Sequence, residues 1–180
     1  MNISEFLQEN GQLEKFSKGG HVFRQGEKSS KIYFIKQGLL KGYYLSSDGK
    51  EHVKSFLMEQ DVIGSLRALS RGEAVSFNLV CLEKSELMAV SFDKIYQESK
   101  TNIEISNFFV EGLIGLALKK EKREYDFLCM SAEDRYRELQ EQGSQLLDRV
   151  TQNDIAKYLG ITPVALSRIR KRISEDDGVS

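Results

Sequence analysis

The stretch that most narrows the folds open to this chain is TQNDIAKYLGITPVALSRIRKRI, residues 151–173. It reads as two short helices joined by a tight turn. Thr151 is placed to cap the first, since its hydroxyl can accept from a backbone N–H that has no partner inside the helix. Ile155, Ala156 and Leu159 then share one face at helical spacing. Gly160 ends that helix, where a positive φ is cheap only for glycine. Thr162 caps the second helix and Pro163 takes its first position, where a missing N–H costs nothing. Leu166, Ile169 and Ile173 carry the apolar face of this second helix. With Gln152 as position 1, Ile155, Ala156, Leu159, Gly160, Ile161, Leu166 and Ile169 occupy positions 4, 5, 8, 9, 10, 15 and 18. A helix-turn-helix needs a small residue at 5, glycine at the turn and apolar groups at the rest.

The outer face of the second helix offers Ser167, Arg168, Arg170, Lys171 and Arg172. Across 151–173, five Lys or Arg stand against one acid, a local +4 in a chain whose total is −1. A polyanion would dock there, and the near-neutral total makes any nucleic-acid affinity local. The plainer alternative is a helical hairpin of some other α-helical domain with a solvated basic face.

A length of 180 residues at 40% hydrophobic suffices for one ordinary domain and a small second one. No run of eighteen apolar residues occurs, and the N-terminal MNISEFLQEN has acids but no basic segment, so a cytoplasmic protein is expected. Cys81 and Cys129 form no CxxC pair.

Residues 1–17 carry Ile3, Phe6, Leu7, Leu13 and Phe16 at helical spacing and predict one or two short helices, broken at Gly11. From about Lys18 to Phe92 short apolar runs alternate with glycine-marked turns: HVF, KIYFI, LLKGYYL, HVKSFL, VIG, VSFNLVCL and ELMAV. Strands at that spacing predict a β-sandwich or β-roll. Asp48-Gly49 predicts a hairpin with a type I′ turn. SLRAL (65–69) predicts a helical turn, and FDKIYQESK a short helix. Residues 103–128 then predict one long helix with Phe109, Leu113, Leu116 and Ala117 as its apolar stripe. A long helix after a β-domain has little of its own to cover it, so this stripe is expected to be a dimer seam. The alternative is packing on its own β-domain. KKEKREYD (119–126) reads as a solvated helix face. Ser131 and Asp134 approach a capping box for a helix over 131–139.

Glycine-punctuated strands (Gly26, Gly38, Gly49, Gly64), a long helix and a terminal LGITPVALSRIRKRI together resemble the Crp/Fnr family of bacterial transcription regulators, over about residues 5–173. The resemblance implies an α+β chain in three parts: a cyclic-nucleotide-binding-type antiparallel β-roll, jelly-roll-like, with flanking helices (1–100); a dimerisation helix (101–128); and a helix-turn-helix DNA-binding domain (129–180). The β-wing common after the second helix has no counterpart before the chain ends. Glu175, Asp176 and Asp177 read as a solvated tail. The implied partners are double-stranded DNA, a second copy of the chain and, as a candidate, RNA polymerase.

Family members that bind cyclic AMP carry Gly-Glu for the ribose and Arg-Ser for the phosphate. The matching positions here are Gly64-Ser65 and Val75-Ser76, which with Leu66 are the ligand-pocket candidates. Loss of the arginine removes a charge-assisted contact of ~1.5–3 kcal/mol, so cyclic AMP is disfavoured as effector. Arg67 and Arg71 could supply another cation, but read more simply as exposed loop charge. Two cysteines cannot hold an iron–sulfur cluster of four cysteine-type ligands, and His21 and His52 are the only histidines for a haem. No cofactor or metal is expected beyond an unidentified small-molecule effector.

For DNA, the resemblance puts Pro163, Val164, Ser167 and Arg168 at base edges, with Arg168 as the guanine reader. Val164 stands where many members carry a cytosine-accepting glutamate, so the half-site should differ. Thr151, Gln152, Thr162 and Lys171 are placed for phosphate contacts, with Lys157 beside them. Two other functions compete with this reading: a cyclic-nucleotide module acting through a protein partner, without DNA affinity, and a cupin-like metalloenzyme. The second would need about three histidines and a carboxylate, and two histidines 31 residues apart do not supply them.

Overall fold

The computed structural model describes residues 1–177. Helix α1 (Ile3–Asn10) is capped by Asn2, whose side chain accepts from Glu5 N–H in a capping box. Eight strands follow: β1 (Gln12–Phe16), β2 (His21–Phe23), β3 (Lys31–Gln37), β4 (Leu40–Leu45), β5 (Glu51–Leu57), β6 (Val62–Ile63), β7 (Asn78–Cys81) and β8 (Ser85–Ser91). They form two four-stranded sheets, β1-β8-β3-β6 and β2-β7-β4-β5, with antiparallel pairing throughout. Phe23, Tyr33, Leu40, Phe77, Leu79 and Leu87 lie in the core cluster between them. This is the expected antiparallel β-roll, with α2 (Leu66–Arg71) inserted between β6 and β7 where SLRAL predicts a helical turn.

Three local expectations need correction. Residues 12–16 are a strand rather than a second helix, because β1 pairs with β8 from Gln12↔Ala89 to Phe16↔Ser85. Gly11 makes the change of direction: a Cβ there would sit 2.4 Å from the Leu7 carbonyl and 2.5 Å from Met88 Sδ. The β4–β5 hairpin exists, but its turn is not type I′. Gly49 has φ +81° while Asp48 stays at negative φ. The chain turns through a Gly49 N–H to Ser46 carbonyl bond of 2.9 Å. The strand expected over 75–82 is confined to Asn78–Cys81.

After β8, α3 (Phe92–Ser99) and α4 (Ile103–Cys129) pack on the outer face of the β1-β8-β3-β6 sheet. Ile32, Val90, Ile95 and Ile105 form their common cluster with Phe6. Asn102 caps α4, which at 27 residues is about 40 Å long. Then come α5 (Ala132–Gln142), opened by the Ser131–Asp134 capping box, α6 (Ser144–Leu147), α7 (Gln152–Leu159) and α8 (Pro163–Asp177). Their apolar faces meet in a cluster containing Tyr136, Leu146, Ile155, Leu159, Leu166 and Ile169. That cluster also takes in Leu39 of the β-roll, with Phe56 and Leu82 packed against it, so one apolar layer joins the two parts. No described helix is long and apolar enough to cross a membrane. The expected tail residue Asp177 closes α8, and residues 178–180 lie outside the described chain.

Candidate functional site

The local rules read from 151–173 produce the local geometry. Thr151 Oγ1 accepts from Asp154 N–H at 3.1 Å and donates to Asp154 Oδ2 at 2.8 Å. Gly160 closes α7 with φ +71°. Thr162 Oγ1 accepts from Ala165 N–H at 3.2 Å at the head of α8. Ile155 and Ala156 are fully buried, and Leu159, Leu166, Ile169 and Ile173 are nearly so.

That packing leaves Pro163, Val164, Ser167 and Arg168 on the open side of α8, with Val164 62% exposed. Arg170 lies seven residues after Pro163, two turns on, and shares that side. Thr151, Gln152, Thr162 and Lys171 are also exposed. The two threonine hydroxyls are occupied as caps, so a phosphate there would meet mainly backbone N–H groups.

The charges divide unevenly. Lys171 faces Glu175 at 3.7 Å across solvent, and Arg172 holds Glu133 at 2.9 Å. Arg168 and Arg170 have no carboxylate partner among the described residues. Lys157 corrects an expectation: it turns away from the open face to bind Glu51 of β5 at 2.7 Å. It therefore ties α7 to the β-roll.

That tie belongs to a larger junction. Lys41 of β4, only 8% exposed, reaches Asp154 of α7 at 2.8 Å and Glu51 at 3.5 Å. Arg149, just before α7, holds Glu59 at 3.0 Å and also pairs with Glu83. The Arg149 guanidinium keeps the Glu59 carboxyl down at about 2, and its own pKa is raised in return. Arg123 of α4 corrects the solvated reading of 119–126. It donates to the Val53 carbonyl at 3.0 Å and the Tyr158 carbonyl at 3.1 Å, with its guanidinium 4.1 Å from the Tyr158 ring. Arg135 donates to the Met130 and Leu159 carbonyls at 2.8 and 3.0 Å, covering groups left open at two helix ends. These positioning residues carry no local sequence signal, since their partners lie up to 113 positions away.

The second candidate region is a cavity of about 340 Å³ between the β-roll, α3 and α4. Gly64, Ser65, Leu66 and Ser76 line it. Val75 does not: it is 2% exposed and sits in the β-roll core with Phe23 and Phe77. Its position at the family's arginine site therefore places an apolar group inward. Arg67 and Arg71 are both drawn to Glu73, Arg67 through Nε at 2.9 Å and Arg71 at 4.0 Å.

The α4 stripe is divided. Phe109, Leu113 and Leu116 line the cavity, and Phe109 packs 6.0 Å from Phe92, while Ala117 is exposed. On another side of α4, Val110, Ile114 and Leu118 stand at four-residue spacing and are 52, 54 and 59% exposed. His21 Nε2 lies 3.1 Å from the Tyr43 hydroxyl, and burial lowers the pKa of this imidazole. Cys81 is buried and its thiol pushed up by burial, whereas Cys129 is exposed. Among the described residues no group of three or more His, Cys, Asp or Glu could hold a metal ion.

Residues 13–102, half of the chain, match the cyclic nucleotide-binding domain family. The chain is 26% identical over 172 residues to the fumarate and nitrate reduction regulatory protein of Shigella dysenteriae, covering 88% of this chain and 67% of that one. It is 25% identical over 97 residues to the anaerobic regulatory protein of Bacillus subtilis, covering 54% of this chain and 41% of that protein. It thus spans less than half the length of that relative, and 49% of the global nitrogen regulator of Nostoc. Among solved structures, FixK2 from Bradyrhizobium japonicum superposes with a TM-score of 0.76 at 16% identity, over 93% of this chain and 86% of that one. A Crp/Fnr-family regulator from Eubacterium rectale gives 0.75 at 16% identity, over 98% and 85%. These likenesses show a shared α+β fold from the β-roll through the terminal helices. The chain belongs to the cyclic nucleotide-binding domain family, and its likeness to Crp/Fnr-type regulators runs on through the terminal helices.

Proposed function

We propose that this chain is a homodimeric transcriptional regulator that reads a pseudo-palindromic duplex through α8. The observation that carries the reading is the open side of α8. It presents Val164, Ser167, Arg168 and Arg170 to solvent, the last two without carboxylate partners among the described residues. Arg168 is assigned to guanine O6 and N7, a pairing that contributes ~1–3 kcal/mol of discrimination. Val164 cannot accept from cytosine and meets a thymine methyl instead. Gln152, Lys171 and the N-termini of α7 and α8 take the phosphates. The dimer forms through the exposed Val110, Ile114 and Leu118 stripe of α4, since an uncovered apolar stripe of that length marks an interaction surface. Two α8 helices then meet successive major grooves about 34 Å apart.

In this reading the β-roll is the sensor. Its ligand shifts the population between arrangements of the terminal helices that do and do not match the DNA spacing. The ion pairs of Lys41, Lys157 and Arg149 hold one such arrangement. Cyclic AMP is not the effector, because Val75 fills the arginine site from inside the core.

The test is selection of bound duplexes from a random pool by the purified chain, without added ligand and with cell extract. Recovery of a two-fold-related site under either condition supports the reading. No enrichment under either condition refutes it.

A further inference from the structure

The cavity under α4 is walled mainly by apolar side chains, five of them phenylalanine rings. Phe34 and Phe108 stack with centroids 5.9 Å apart and planes at 26°, and Phe77, Phe92 and Phe109 complete the aromatic wall. Among the polar groups on that wall, Ser65 and Lys54 stand out. Ser65, at the head of α2, is 3% exposed and its Oγ has no hydrogen-bond partner. A buried hydroxyl left so costs ~1–3 kcal/mol. Lys54 of β5 is half-buried, with its ammonium 4.5 Å from the centroid of the Phe77 ring. It has no carboxylate partner among the described residues. Burial, with Lys120 and Arg123 nearby, lowers its pKa to about 8. Arg67 also lines the cavity, but Glu73 neutralises it. The wall therefore joins an aromatic surface to one half-buried cation without a carboxylate, Lys54, and one unused hydroxyl; Lys120 also lines it without a carboxylate partner among the described residues, but is exposed.

We propose that this cavity binds an aromatic monocarboxylate, its ring on the phenylalanine wall, its carboxylate on Lys54, and the Ser65 hydroxyl as second polar contact. A volume of about 340 Å³ is at the small end of ligand sites, which suits one or two rings. Lys54 is the one lining cation that is half-buried, and it balances one charge, while Lys120 stays with solvent. A cyclic nucleotide would bring a phosphate to the position Val75 denies it. The proposal rests on reading the β-roll as a ligand sensor. Its test needs no DNA, so it fails separately from the assignment of α8.

The experiment is calorimetric titration of the full chain with 4-phenylbutyrate, with the neutral isostere 4-phenylbutanol, and with cyclic AMP. The acid is expected to bind at least about tenfold more tightly than the alcohol, the size of one charge-assisted bond. K54M should bring the acid down to the alcohol and leave the alcohol unchanged, while K54R retains the preference. S65A should weaken the acid and bind the alcohol no better. Should K54M fail to fold, K54Q and S65A carry the same comparison. Equal binding of acid and alcohol, no binding of either, or displacement of the acid by tighter-binding cyclic AMP overturns the proposal.

Discussion

Replacing Lys41 by methionine tests the junction between β-roll and α7 directly. Lys41 Nζ is 2.8 Å from Asp154 Oδ1, and the two side chains are only 10 and 11% exposed. Removing one member of a buried ion pair costs ~3–5 kcal/mol, because the other charge stays buried without its partner. The lower end applies here. Asp154 keeps the Thr151 hydroxyl at 2.8 Å and sits in the first turn of α7, where the helix dipole favours an anion. Glu51 keeps Lys157 at 2.7 Å. We therefore expect K41M to lose about 3 kcal/mol, or roughly 6–12 °C in melting temperature for a chain of this size. D154A should lose less from the pair itself, because Lys41 retains Glu51 at 3.5 Å, but should add about 1 kcal/mol for the weakened α7 cap. The double variant K41M/D154L removes both charges and should recover most of the loss, since a well-packed apolar pair can equal a buried ion pair. Urea unfolding followed by circular dichroism measures all three. A K41M loss below about 1 kcal/mol, or a double variant equal to the sum of the singles, would refute a coupled buried pair.

Other consequences are open to similar measurement. R168A should weaken specific binding by ~1–3 kcal/mol and relax preference at one base pair per half-site, read by selection from a random pool. K171A should instead weaken binding to all duplexes and lower the salt slope by ~0.9 per site, read by anisotropy titration at several salt concentrations. I114D should shift sedimentation from dimer to monomer, because Ile114 is 54% exposed within one chain. The Glu59–Arg149 pair sets an acid limit. Its folded pKa of about 2 lies below the ordinary glutamate value of about 4.3, so its contribution is full above that value and is lost as pH falls toward 2. The stability gap between wild type and R149M should narrow over that window, and a constant gap would contradict the assignment.

The helix-turn-helix was readable because its rules are local. Thr151, Gly160, Thr162 and Pro163 act within four residues of the backbone groups they serve. The strand order of the β-roll was readable in outline for the same reason, through turn signals and short apolar runs. Residues 12–16 were misread because their hydrogen bonds go to β8, more than 65 positions away, while their apolar spacing suits a helix too. The α4 stripe was found, but spacing alone does not say what covers it: Phe109, Leu113 and Leu116 turn to the chain's own cavity. Lys157 illustrates the same limit. It looks like a phosphate contact until the fold brings Glu51 within 2.7 Å from 106 positions away. Lys54 gave no signal at all, since its role depends on α4 closing over β5 from another part of the chain.

The most direct test of the account is hydroxyl-radical footprinting of the full chain on a duplex recovered by selection. A dimer with α8 in the groove should protect two patches on one face of the DNA, about 10–10.5 base pairs apart or a multiple of it, with R168A weakening both equally. A single patch, or protection unchanged in R168A, would contradict it.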